Sequence, residues 1–157
     1  MLNLKKILYP TDFSEYSLAA LPYAVGLAQQ NDAELYCLYV VEIPQEEYLT
    51  SEYMVPLNVP HVPEDKILRN ARARMDKFVA DKLSGIDKVT SRVLIGVPFV
   101  EIIRYARDQS IDLIVIGTHG HNALAAMLLG TVAEKVVRKA PCPVLTVRHP
   151  EHAFEMP

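Results

Sequence analysis

Two short stretches of this chain combine residue types suited to holding an anion. The first is Pro10-Thr11-Asp12, directly after an apolar run. The second is Gly117-Thr118-His119-Gly120, followed nine residues later by Gly130-Thr131-Val132. Glycine lets backbone N–H groups come close to an oxyanion, and a helix N-terminus adds unpaired donors and a favourable dipole. If Gly130 opens a helix, its own N–H would face such an anion, and the Thr131 hydroxyl would add a donor. Any one of these glycines alone reads as a turn or a packing accommodation. Three at fixed offsets, opening from one place in a sheet, favour a phosphate cradle.

Other chemistries fit less well. No GxxxxGK[ST] segment is present, so the P-loop mechanism has no basis, and Gly117-x-x-Gly120 is not the GxGxxG of a dinucleotide fold. His119 and His121 lack a nearby carboxylate to complete a metal set, and His149-x-x-His152 lies in a polar tail. Cys37 and Cys142 form no CxxC and read as two free, mostly buried thiols. Asp12 at a strand end has the reach of a base, yet no partner nucleophile is evident, so a binding role comes first.

The elements that must position these residues can be read from periodicity. Strands are expected at 5–9, 34–41, 90–95, 113–116 and 144–147, the fourth an unbroken apolar run as in a strand covered on both faces. Between them, apolar spacing predicts four helices. The first carries Leu18, Leu21, Val25 and Ala28 on one face, with Ser14 as cap and Pro22 expected to kink or delay it. The second spans about 64–83 with Gly85 ending it, and the third starts at Pro98 and buries Phe99, Ile102, Ile103 and Ala106. The fourth runs about 129–139 and buries Ala133, Val136 and Val137. Alternating strands and helices imply right-handed parallel crossovers. The expected fold is α/β, an open, doubly wound, five-stranded parallel sheet with helices on both faces, Rossmann-like, in the order 3-2-1-4-5. Its ligand crevice belongs at the carboxyl ends of the strands, where the order reverses. The segment 43–63, with four prolines, is long for a connection and is expected to be mobile or to cover the crevice.

Length and charge narrow the class. The chain has 157 residues, enough for one core, with 16 basic and 19 acidic residues interspersed and a formal charge of −3. No basic stripe is visible, which argues against nucleic acid as partner. No apolar run approaches the roughly 20 residues of a membrane span, and no signal-peptide pattern opens the chain, so a cytoplasmic location without membrane partners is expected.

These motifs together resemble the ATP-binding branch of the universal stress protein family. The resemblance rests on Gly117-x-x-Gly120, Gly130-Thr131, the opening Ile7 to Ser14, Tyr39-Val40-Val41-Glu42, Gly96-Val97-Pro98 and Pro141 to Val147, in order over about residues 3 to 148. It implies one nucleotide-binding domain over 1–148 and a flexible tail over 149–157. It implies ATP as ligand, with Asp12 and Val40 at the adenine, and with Pro10, Thr11 and Gly117 near adenine and ribose. Gly120, Gly130, Thr131 and Val132 would line the phosphates, bridged by Mg²⁺ or Mn²⁺. It also implies a homodimer through the last strand, Val144 to Val147, an apolar run at an expected sheet edge. Two departures stand out: His121 occupies a place where relatives often carry a basic residue, and Tyr39 one where they often carry histidine. A stress-associated regulatory protein that binds ATP with little or no turnover is the leading reading. A slow ATP hydrolase, a phosphoryl or adenylyl transferase, and a non-nucleotide dimerising scaffold are the alternatives. The sequence names no downstream partner.

Overall fold

The computed structural model describes residues 3–42, 63–119 and 129–150. Nearly all of the long connection 43–63 therefore lies outside the described residues, as do Gly120, His121 and the tail beyond residue 150. Five strands are present: β1 (Lys6–Pro10), β2 (Glu34–Val41), β3 (Val89–Ile95), β4 (Leu113–Gly117) and β5 (Val144–Val147). The helices are α1 (Glu15–Leu18), α2 (Leu21–Asn31), α3 (Glu64–Lys82), α4 (Pro98–Asp108) and α5 (Thr131–Lys139). All strand pairs are parallel, in the order β3-β2-β1-β4-β5. The expected fold is therefore the observed one.

The pleat explains which residues face which layer. Ile7 and Tyr9 of β1, Leu35 and Cys37 of β2 and Val115 of β4 join one core with Ala24 and Ala28 of α2 and Ala71, Met75 and Phe78 of α3. Their neighbours Leu8, Tyr36, Leu38, Ile114 and Ile116 join the other, with Ile102 and Ala106 of α4 and Ala133 and Val136 of α5. Each central strand is thus apolar on both faces, the cause of its unbroken apolar sequence. At the amino end of the sheet, one carboxylate oxygen of Asp112 accepts the N–H groups of both Lys5 and Lys6, at 2.8 and 2.9 Å.

Several boundaries differ from expectation. Strand β1 ends one residue later, at Pro10. Pro22 does more than kink the first helix: the segment splits into a one-turn α1 capped by Ser14 and a separate α2 with Pro22 in its first turn. The missing N–H of proline is harmless there and would break a ladder anywhere further in. Helix α5 starts at Thr131, two residues later than expected, with Gly130 as its N-cap. Val137 is 46% exposed rather than buried, because α5 flanks the edge strand β5 and nothing among the described residues covers that side.

Candidate functional site

The strand order reverses between β1 and β4, so the crevice of this sheet opens above their carboxyl ends. The two loops that leave these strands are tied to one another. Thr11 extends the β1 ladder, its N–H donating to Leu38 O at 2.9 Å, and its buried Oγ1 accepts the N–H of Phe13 at 3.0 Å. The same oxygen lies 3.0 Å from Ser17 Oγ. Ser17 spends its one hydroxyl proton on Ser14 O at 3.0 Å, so Thr11 is the donor between the two. Tyr9 completes this knot from below, donating its phenol to Ser17 O at 2.9 Å; burial pushes that phenol well above its ordinary pKa. Asp12 is half-buried, and its Oδ1 accepts both the N–H and the hydroxyl of Ser14. Its carboxylate is therefore oriented by the same turn that starts α1.

The loop after β4 meets this turn through backbone. A Cβ on Gly117 would stand 2.5 Å from Tyr16 O and 3.1 Å from Ser17 Cα, so α1 lies directly on the last residue of β4. Thr118 donates its N–H to Val147 O at 2.9 Å, and its Oγ1 lies 3.0 Å from His119 Nδ1; both residues are buried. The His119 ring packs 5.9 Å from that of Tyr16, whose other neighbour is His149 at 5.3 Å. The tail thus begins with a residue in ring contact with the fold.

Helix α5 starts on top of this loop. Gly130 donates its N–H to Thr118 O at 2.6 Å, and a Cβ there would meet the same oxygen at 2.9 Å and His119 Cα at 3.3 Å. This corrects one expectation: the Gly130 amide is turned to the chain, not outward to an anion. The donors that remain belong to the first turn itself. The N–H groups of Thr131, Val132 and Ala133 have no acceptor within the helix, and Gly130 has no side chain to cap them. Thr131 is exposed, Val132 half-buried and Ala133 buried.

Of the residues singled out from the sequence, Pro10, Thr11, Asp12, Gly117, Gly130, Thr131 and Val132 belong to this linked set or border it. Val40 lies on the neighbouring strand, half-buried and paired with Leu94. Leu38 is the partner of Pro10, so Val40 stands two residues beyond the end of the β1 pairing. Gly120 is outside the described residues. The sequence reading missed Ser17 and Phe13. Ser14-x-x-Ser17 carries the spacing of a cap and its third amide, whereas nothing in the type of Phe13 announces its left-handed backbone, φ 62°. Among the described residues no group of three His, Cys, Asp or Glu is placed to hold a metal ion, and no helix is long and apolar enough to cross a membrane.

The model of the universal stress protein family matches residues 3–148. The chain belongs to that family. Universal stress protein MJ0531 of Methanocaldococcus jannaschii is 38% identical over 147 residues, spanning 94% of this chain and 84% of that protein. The solved structure of MJ0577, a universal stress protein of the same organism, superimposes with a TM-score of 0.76 at 32% identity, covering 95% of this chain and 99% of that one. A universal stress protein solved in complex with cAMP has a TM-score of 0.61 at 26% identity, over 94% and 98% of the two chains. The five-stranded sheet described above is thus the fold of the family's solved members.

Proposed function

We propose that this universal stress protein is a cytoplasmic, stress-associated regulator that binds ATP in the crevice between the β1 and β4 loops. The observation that carries the reading is the first turn of α5. Its three amides, without an acceptor among the described residues, and the Thr131 hydroxyl start directly on the β4 loop, at the seam where a doubly wound sheet receives its ligand. A relative solved in complex with cAMP supports an adenine nucleotide as the ligand class.

In this reading Asp12 and Val40 face the adenine, while Pro10, Thr11 and Gly117 form the floor near the ribose. Thr131, Val132 and Gly120 approach the phosphates; Gly130 shapes the cradle by letting α5 sit close to Thr118. Mg²⁺ or Mn²⁺ would reach the site with the nucleotide, supplying neutralisation of β- and γ-oxygens. Strand β5 is the edge of the sheet among the described residues, with Leu145 36% exposed, and we propose that it pairs two copies into a homodimer.

Titration calorimetry with ATP and Mg²⁺ tests the site. Thr131→Ala removes one hydrogen bond to a charged group, worth roughly 1.5–3 kcal/mol, and is expected to weaken ATP about ten- to a hundred-fold. EDTA should weaken ATP far more than adenosine. A folded parent protein that binds no ATP at millimolar concentration would refute the reading, and the scaffold alternative would take its place. Gly130→Val is unsuitable as a test, because its side chain would collide with Thr118 O whether or not a phosphate binds.

A further inference from the structure

Three described non-glycine residues have a left-handed backbone: Phe13, Asp32 and Ser110. Asp32 is the C-cap of α2, and Ser110 follows the C-cap of α4, where that conformation commonly ends a helix. Phe13 has no helix before it. A bulky aromatic residue in this region is strained, and such strain persists only where surrounding contacts over-determine it.

The contacts at Phe13 are specific. Its ring meets Tyr39 edge-on with centroids 4.7 Å apart and Phe78 at 5.4 Å, and the Arg74 guanidinium lies over it at 4.5 Å. Tyr39 comes from β2; Arg74 and Phe78 are one turn apart on α3. The two rings in closest contact are therefore the chain neighbours of Asp12 and Val40. Phe13 follows Asp12 and Tyr39 precedes Val40 in the chain, and the turn through Phe13 is spanned by the hydrogen bond from Ser14 N–H to the Asp12 carboxylate. Arg74 is exposed and has no ion pair among the described residues.

We propose that the Phe13–Tyr39 ring pair, capped by Arg74, sets the spacing of Asp12 and Val40 and so determines which base the crevice prefers. Arg74 is then a positioning residue, contributed by a helix that supplies none of the residues assigned to the nucleotide. This rests on the nucleotide reading above.

ATP and GTP share their triphosphate and ribose, so the ratio of their affinities isolates the base. Arg74→Ala should shrink the preference for ATP about two- to five-fold, the scale of one exposed cation–π contact. Arg74→Lys should restore most of it. Phe13→Gly keeps the left-handed turn without strain but has no ring, and should shrink the preference about ten-fold or more. Circular dichroism and thermal melts confirm that each variant is folded. If ATP and GTP weaken equally in these variants, Arg74 and Phe13 support only the fold and the proposal fails. Unchanged affinities for both nucleotides overturn it too. If the parent binds ATP and GTP equally, the adenine assignment of Asp12 and Val40 falls first. If it binds neither, the nucleotide reading itself is wrong.

Discussion

Two glycines in this chain should respond with opposite sign to the same substitution. Gly26 lies inside α2 with nothing within 4 Å of where a Cβ would project. Gly26→Ala should therefore stabilise the protein by about 0.5–1 kcal/mol, through helix propensity and a less flexible unfolded chain. Gly117→Ala gains the same unfolded-state term but places its methyl 2.5 Å from Tyr16 O and 3.0 Å from the carbonyl carbon. Ordinary contact begins near 3.5 Å, so α1 or β4 must move by about 1 Å, and both are backbone with no flexible end to yield. Overpacking of this kind costs about 1–3 kcal/mol. For a domain of this size each kcal/mol moves Tm by about 2–4 °C, so Gly117→Ala should melt about 2–12 °C lower and Gly26→Ala about 1–4 °C higher. Thermal unfolding followed by circular dichroism at one pH and concentration measures both. A Gly117→Ala protein as stable as Gly26→Ala would show that α1 does not rest on β4, and the linked loops described above would come apart.

Three further outcomes are expected. Leu145→Lys should shift the protein toward monomer in multi-angle light scattering; a parent that is already monomeric at micromolar concentration would remove the β5 dimer. Hydroxyl donors from Thr90 at 2.6 Å and Tyr36 at 2.9 Å hold the Glu34 carboxyl below the usual carboxylate range. Because that pKa is depressed on folding, its contribution is present above the ordinary carboxylate value and is lost as pH falls through the lowered one. Glu34→Gln should accordingly lower Tm near neutral pH and converge on the parent once the pH has fallen through the lowered value, whereas a constant offset at all pH values would refute the linkage. Burial pushes the Cys37 thiol up to about 12, while Cys142 is only half-buried. A thiol reagent should therefore modify Cys142 first and reach Cys37 only on unfolding; simultaneous reaction of both would contradict the core.

The sheet was legible because its central strands are apolar on both faces and its helices carry stripes at helical spacing. Pro22 was legible as a disturbance but not as a division, since only the seating of α1 on Gly117 shows why one turn stands alone. The glycines were legible as positions that exclude a side chain. What excludes it was not: close approach of a ligand and close approach of Tyr16 O or Thr118 O leave the same residue behind. Val137 was misread because its spacing matches that of Val136, while exposure depends on α5 flanking an edge strand. Phe13 gave no sign, since aromatic residues almost never adopt its backbone and what holds it there, Tyr39, Phe78, Arg74 and the Thr11 hydroxyl, comes together only in the fold.

The pairing of β1 with two partners also has a kinetic side. β1 meets β2 across about 30 residues of chain but meets β4 across more than 100, a seam that Asp112 closes onto Lys5 and Lys6. Closing the longer loop costs about 1 kcal/mol more in chain entropy, so the β1–β2 ribbon is favoured to form first. The crevice does not exist until the second closure is made. A partly folded chain could hold most of its helices and three of its strands and still offer no place for a nucleotide. Regain of ligand binding during refolding would then trail regain of helical signal, and their separation in time would measure how late the two halves of the sheet join.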